Sequence, residues 1–268
     1  MKDFLKLTSY DESGLVHGYE IEVLDIKKLS EYVGMVILGH YLHVEKILNS
    51  KVAPEFRPPD NAIDRAINKL RKNSQIEIEK RDGWIFQIIS WIVVQITYSD
   101  QNLLSQIPHD APAQHGLDGI AITLNYDSKI NKIIITEDKA TRYPRKLIRS
   151  QVFPEFQKYE NGEYDNKIVS RVSGILNGRI DDSKIASAIE NDIYRLDVRK
   201  YRIGITINNK INKPGSNKKL FKDYDSFVKN SHSRSADTMD LKDLRTWMEN
   251  FSSLIINFLE TKRNNRNV

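Results

Sequence analysis

His115-Gly116-Leu117-Asp118-Gly119-Ile120-Ala121-Ile122-Thr123-Leu124 and Lys132-Ile133-Ile134-Ile135-Thr136-Glu137-Asp138-Lys139-Ala140 are the two segments whose reading decides the fold. Each carries an apolar run of strand length, rich in β-branched residues. The polar stretch Asn125 to Asn131 joins them at an ordinary hairpin length. Side chains alternate faces along a strand. Glu137 and Lys139 therefore project from one face and Asp138 from the other. Antiparallel pairing through the turn brings Asp118 close to Glu137.

Two carboxylates held together are poor neighbours without a cation. They are good ligands for Mg²⁺ or Mn²⁺, which prefer hard oxygen donors and keep several waters. Such an ion lowers the pKa of a bound water and neutralises charge on a phosphate. Lys139 is a compact cation suited to orienting an attacking water or stabilising a pentavalent phosphate. The same letters have plainer readings, because Asp-Gly is a turn pair and Glu-Asp-Lys at a strand end is also a solvated charge cluster. Glu137 and Lys139 follow directly on an apolar strand, which suits a site better than a loop would.

An Asp, a hairpin and then Glu-x-Lys is the pattern of PD-(D/E)xK metal-dependent nucleases. The stretch His115 to Ala140, with HGLDGIAITL and KIIITEDKAT, resembles the nuclease core of the HamA family, the effector subunit of Hachiman anti-phage defence. The related AbpA anti-phage proteins are similar. The resemblance extends to overall length and element order, with specific motifs only in the middle. It implies a restriction-endonuclease-like α/β core, with a central mixed sheet flanked by helices and an α-rich N-terminal elaboration. It implies a Mg²⁺- or Mn²⁺-dependent DNase that works with a superfamily 2 helicase similar to HamB. Carried over by motif, Asp118, Glu137 and Lys139 are the catalytic set, with Asp118 and Glu137 on the metal. Two rivals use the same residues: a degenerate DNA-binding or regulatory subunit, and a free-standing restriction or repair nuclease.

The chain has 268 residues, 40% of them hydrophobic, enough to bury a sizeable core. We expect an elaboration over 1–80 and the nuclease core over 81–268. No cysteine is present, so disulfides and thiolate metal sites are excluded. That composition and the mixed, charged start from Met1 to Asp11 predict a cytoplasmic protein without a leader. The longest apolar run, Trp84 to Thr97, is too short to span a bilayer. The net charge of +5 is a mild footprint for a polyanionic partner. Arg142, Arg145, Lys146 and Arg149 follow the triplet and are the expected DNA contacts. A second basic stretch, Arg199 to Lys222, includes Lys210, Lys213, Lys218 and Lys219.

Gly34 to Leu48 predicts a helix, and Asp60 an N-cap for a helix to about Lys72. Tyr19 to Leu24 and Tyr201 to Asn208 predict strands. Trp84 to Tyr98 is ambiguous by periodicity: its β-branched residues favour a strand, while its length and a mostly polar stripe at Gln87, Ser90, Val94 and Thr97 favour a buried helix, with Asp82-Gly83 as a cap. In PD-(D/E)xK proteins the helix before the sheet often supplies another acid. Gln87 stands at that place here. Three consequences are open: one anionic ligand fewer, a nearby Glu in substitution, or a single metal. A plain core-edge amide is the bland alternative. His109 and His115 lie close to Asp118 in sequence, where a loop histidine is ordinarily a surface group. His40 and His43 beside Glu45 lack a fourth convergent ligand. A kinked helix over Pro144 to Tyr159, helices over Lys167 to Leu176 and Asp182 to Tyr194, and an amphipathic helix over Asp240 to Leu259 complete the reading.

Overall fold

The computed structural model describes residues 3–50, 58–99, 101–114, 116–127, 129–177, 181–208 and 216–264. The chain opens with an antiparallel hairpin of β1 (Leu5–Asp11) and β2 (His17–Val23). Helices α1 (Ile26–Ile37), α2 (Tyr41–Ser50), α3 (Asp60–Leu70) and α4 (Gln75–Thr97) follow. An antiparallel meander comes next, with β3 (Leu103–Ser105), β4 (Gly119–Leu124) and β5 (Ile130–Lys139). The helical run after it is α5 (Pro144–Leu147), a π-helical segment at Ile148–Val152, α6 (Phe153–Glu160), α7 (Asp165–Leu176) and α8 (Asp182–Ala188). β6 (Arg199–Ile207), α9 (Ser216–Leu220), α10 (Tyr224–Phe227), β7 (Arg234–Asp240) and α11 (Leu244–Asn264) complete the order.

The seven strands form one mixed sheet in the order β1-β2-β7-β6-β5-β4-β3. The four central strands, β2, β7, β6 and β5, are parallel, with an antiparallel hairpin at each flank. Helices cover both faces. On one side, Leu29, Val33, Ile63, Trp84, Ile88, Phe251 and Ile255 build a core from α1, α3, α4 and α11. On the other, Phe153, Phe156, Ile168 and Val172 of α6 and α7 pack on Ile133, Ile135, Tyr201 and Ile203 of the sheet. β5 needs apolar residues on both faces, and its unbroken Ile133-Ile134-Ile135 supplies them. Ile133 and Ile135 join the second core, while Ile134 meets Val94 and Tyr98 of the α4 side. Each such buried side chain stabilises the fold by roughly 1.5–3 kcal/mol relative to exposure.

The structure departs from the expected elements in ways that have local causes. The helix expected over Gly34 to Leu48 is two helices. Gly39 takes φ +86, and the amides of Gly39 and His40 turn back to the carbonyls of Val36 and Met35. That is a Schellman stop, which glycine allows at little cost. His40 thus precedes α2, while the side chain of His43 lies outside the described residues. α4 begins at Gln75, ahead of Asp82-Gly83. Ser74 caps it by accepting from the Glu77 amide and donating to the Glu77 carboxylate. Asp82 is instead buried inside the helix, where Arg81 and Arg245 neutralise it. Asp60 is the first residue of α3, and Pro59 holds the cap position without a side-chain bond. The division expected at 80/81 falls inside α4. β1 and β2 belong to the common sheet, and α1 and α3 share a core with α4 and α11.

Candidate active site

β4 and β5 pair with Gly119 opposite Thr136, which sets Asp118 opposite Glu137 at the end of the ladder. There the backbone still contributes. The Asp138 amide donates to Asp118 Oδ2 at 2.8 Å, fixing one carboxylate oxygen. Lys139 Nζ lies 3.1 Å from Glu137 Oε2 and 3.4 Å from Asp118 Oδ2, so one ammonium bridges both acids. From the other side α4 brings Gln87, whose Nε2 donates to Asp118 Oδ1 at 2.6 Å. The structure therefore gathers Asp118, Glu137, Lys139 and Gln87 into one cluster. Gln87 and Ser90 of the α4 stripe face this end of the sheet.

Burial dominates the electrostatics. Glu137 is only 8% exposed, and its pKa is pushed up to about 8, first by desolvation and then by the Asp118 charge. Burial works to lower Lys139, but Glu137 and Asp118 outweigh it and hold the ammonium above its ordinary value. The site thus disfavours a second carboxylate charge beside Asp118, and Lys139 is the cation that offsets it. Asp118 and Glu137 offer hard oxygen donors, and the Gln87 amide carries a further oxygen. That donor set fits Mg²⁺ or Mn²⁺, which bind through one or two carboxylates and keep water. Among the described residues, no group of three His, Cys, Asp or Glu side chains is disposed to hold a metal.

Asp138 points to the opposite face, as the strand period requires. It accepts from Ser90 Oγ at 2.5 Å, and Ser90 Oγ accepts from Arg202 Nη1 at 2.7 Å. Arg202 Nε donates to Asp237 Oδ2 at 2.7 Å, and Asp237 Oδ1 accepts from the Tyr19 amide at 2.9 Å. Desolvation pushes Asp138 up to about 7 despite the Arg202 charge. This chain of partners ties β2, β7, β6 and α4 to the strand that bears the triplet.

Of the four expected DNA contacts, Arg145 is otherwise engaged. It donates from Nη1 to the carbonyls of Leu220 and Lys222 and from Nη2 to Asp223 Oδ2. It is a tether between α5 and the α9–α10 segment. Arg142 lies 3.8 Å from Asp243. Lys146 and Arg149 are exposed. Lys218 and Lys219 are exposed on α9, whereas Lys210, Lys213 and His115 lie outside the described residues. His109 is engaged through its carbonyl, which accepts from Trp84 Nε1 at 2.7 Å.

Sequence reasoning misses Glu155, Arg202 and the partner of Ser90. Glu155 of α6 adds to the negative field that raises Glu137. No signal in the linear order marks it, because the kinked run from α5 to α6 decides which residue returns to the site. Ser90 is visible as a member of the α4 stripe, but its partner is not. No family model matches this chain, and no curated protein matches it.

Proposed function

We propose that this chain is a metal-dependent nuclease with a restriction-endonuclease-like core. The observation that carries the reading is the single Lys139 ammonium shared by Asp118 and Glu137, with Gln87 closing the far side of Asp118. The central mixed sheet flanked by helices, with α4 placed before the hairpin, supports it. Bound at Asp118 and Glu137, Mg²⁺ or Mn²⁺ would supply an acidified water and charge neutralisation at the phosphate.

The chain's own groups supply the rest. The Asp138 amide and the Gln87 amide orient Asp118. Lys139 sits where it can hold a phosphate oxygen or the attacking water by a charge-assisted hydrogen bond. Burial strengthens each of these contacts, while it disfavours the Glu137 charge unless a cation offsets it. The substrate class is DNA, and the effector role beside a helicase in anti-phage defence rests on the resemblance of His115 to Ala140. Among the described residues no helix is long and apolar enough to cross a membrane. A cytoplasmic location fits that role.

The test is incubation of the purified chain with plasmid and Mg²⁺, alone and with the product of the adjacent gene. Metal-dependent cutting that disappears in Glu137→Gln supports the reading. A second reading, a DNA-binding subunit without catalysis, is favoured by Gln87 in place of an acid. DNA binding without cleavage under every metal and partner condition would select it.

A further inference from the structure

The described residues before Asp118 line two clefts. Where α4 meets the sheet, the space lined by Gln87, Ser90 and Asp118 is about 20 Å³. On the α7 side a cleft of about 580 Å³ has Gly116 and Leu117, the two residues before Asp118, in its wall. Glu155 lines it too, so its acidic end adjoins Glu137. α7 contributes Asn166, Lys167, Ser170 and Arg171, all exposed. Tyr159 of the same cleft feels the charges of Glu137 and Asp118, so the cleft adjoins the site.

Lys167 and Arg171 stand four residues apart and so share one stripe of α7. Neither enters an ion pair among the described residues. Lys167 Nζ sits 3.2 Å from the Tyr164 ring centroid, which positions the ammonium without neutralising it. Arg171 passes over Gly116, where a Cβ would lie 3.4 Å from its Nη2. Gly116 has φ +142, a conformation that suits glycine, so backbone and guanidinium approach closely there. Arg171 also lines a second cleft of about 370 Å³ that includes His109 and Gln114. It is the residue common to both clefts. On α5, by contrast, Arg145 is spent on Leu220, Lys222 and Asp223.

We propose that the Lys167–Ser170–Arg171 stripe of α7 is the phosphate-backbone subsite for the DNA strand entering the Asp118–Glu137–Lys139 site. This rests on the nuclease reading above. Arg171 is the anchor, because a guanidinium fork matches phosphate oxygens in pairs. Lys167 holds the neighbouring phosphate as a point charge, and Ser170 between them donates its hydroxyl. α5 is not the track.

The experiment compares Lys167→Ala/Arg171→Ala with Lys146→Ala/Arg149→Ala, each also in a Glu137→Gln background. Binding of a fluorescent DNA duplex is followed across a salt series, and plasmid cleavage with Mg²⁺ is followed in the active proteins. All four side chains are exposed, and unchanged melting temperatures confirm that the variants fold. We expect the α7 pair to weaken binding on the order of 10-fold or more. Its salt slope should fall by about 0.9 for each duplex phosphate that is no longer neutralised. KM should rise more than kcat falls. The Lys146/Arg149 pair should keep the parent slope. A parent-like slope in the α7 pair, or the loss appearing in the Lys146/Arg149 pair instead, overturns the subsite. α7-dependent binding without any metal-dependent cleavage keeps the subsite and overturns the nuclease reading. A chain that neither binds nor cuts DNA overturns both.

Discussion

The Asp138 carboxylate fills the space that Gly204 leaves open on the next strand. A Cβ at Gly204 would fall 2.0 Å from Asp138 Oδ1 and 2.9 Å from Ser90 Oγ. The two residues are register partners in parallel β5 and β6. Gly204→Ala must displace Asp138 and break its bond to Ser90. We predict a loss of about 1–3 kcal/mol, the usual cost of overpacking, read by chemical denaturation. Cleavage measured well below the melting point should also fall, because the Asp138 amide holds Asp118. An alanine variant as stable and as active as the parent would show that this packing is not needed.

Removing the shared cation or one of its acids tests the chemistry directly. Lys139→Met and Glu137→Gln should each lower cleavage by about 10²–10³-fold or more, the scale for losing one preorganised charged group. Relieving burial and repulsion at Glu137 should leave Glu137→Gln at least as stable as the parent. Cutting at the parental rate in either variant would remove the assignment.

Gln87 and Asp118 make the next test. The amide donates 2.6 Å from Asp118 Oδ1, so Gln87→Glu puts a third acid against two others. Like charges in a dry site disfavour one another. The variant should melt lower than the parent without metal and regain the difference when Mg²⁺ is added, by linkage to binding. Equal melting temperatures with and without Mg²⁺ would argue that no ion binds beside Asp118.

How far the sequence speaks depends on whether a partner lies nearby in the chain. The hairpin and its triplet are legible because strand period and a short turn are local. Gln87 is legible as an odd polar group on an apolar helix. β7 is not, since Arg234-Ser235-Ala236-Asp237-Thr238-Met239-Asp240 has the composition of a loop. It is a central strand because its polar groups find distant partners. Arg234 donates to the carbonyls of Gly14, Leu15, Val228 and Lys229, and Asp237 meets Arg202. Arg145 reads as a DNA contact for the same reason, since composition cannot distinguish a tether from a solvated cation. Glu155 comes near Glu137 only through the kinked run from α5 to α6, which no spacing rule encodes.

Arg145 should therefore behave as a structural residue. Arg145→Ala loses bonds to two carbonyls and to Asp223 at a partly exposed site. The expected destabilisation is about 1–2 kcal/mol. The salt dependence of DNA binding should stay unchanged, because no phosphate contact is removed. A flattened salt slope at full stability would return Arg145 to the DNA path.

The far end of the parallel strands holds a different electrostatic arrangement. Lys200 Nζ lies 3.0 Å from His17 Nε2 and 5.8 Å from the Tyr98 ring centroid, with no ion pair among the described residues. Burial, and then the Lys132 charge, lower its pKa from 10.5 to about 8. Below pH 8 the folded protein carries the protonated amine against this environment, and the full cost is present. Between pH 8 and 10.5 the unfolded chain binds more protons than the folded one, so stability rises with pH across that window. Lys200→Met keeps the apolar stem and removes the charge. At pH 7 the variant should be more stable than the parent by about 1–2 kcal/mol, after discounting for the solvent that still reaches the amine and for the missing hydrogen bond to His17. The gap should close as the pH approaches 10.5. Urea denaturation at pH 7 and pH 10 measures both ends. A variant less stable than the parent at pH 7, or a gap that widens with pH, would mean that Lys200 gains more from its neighbours than burial takes away.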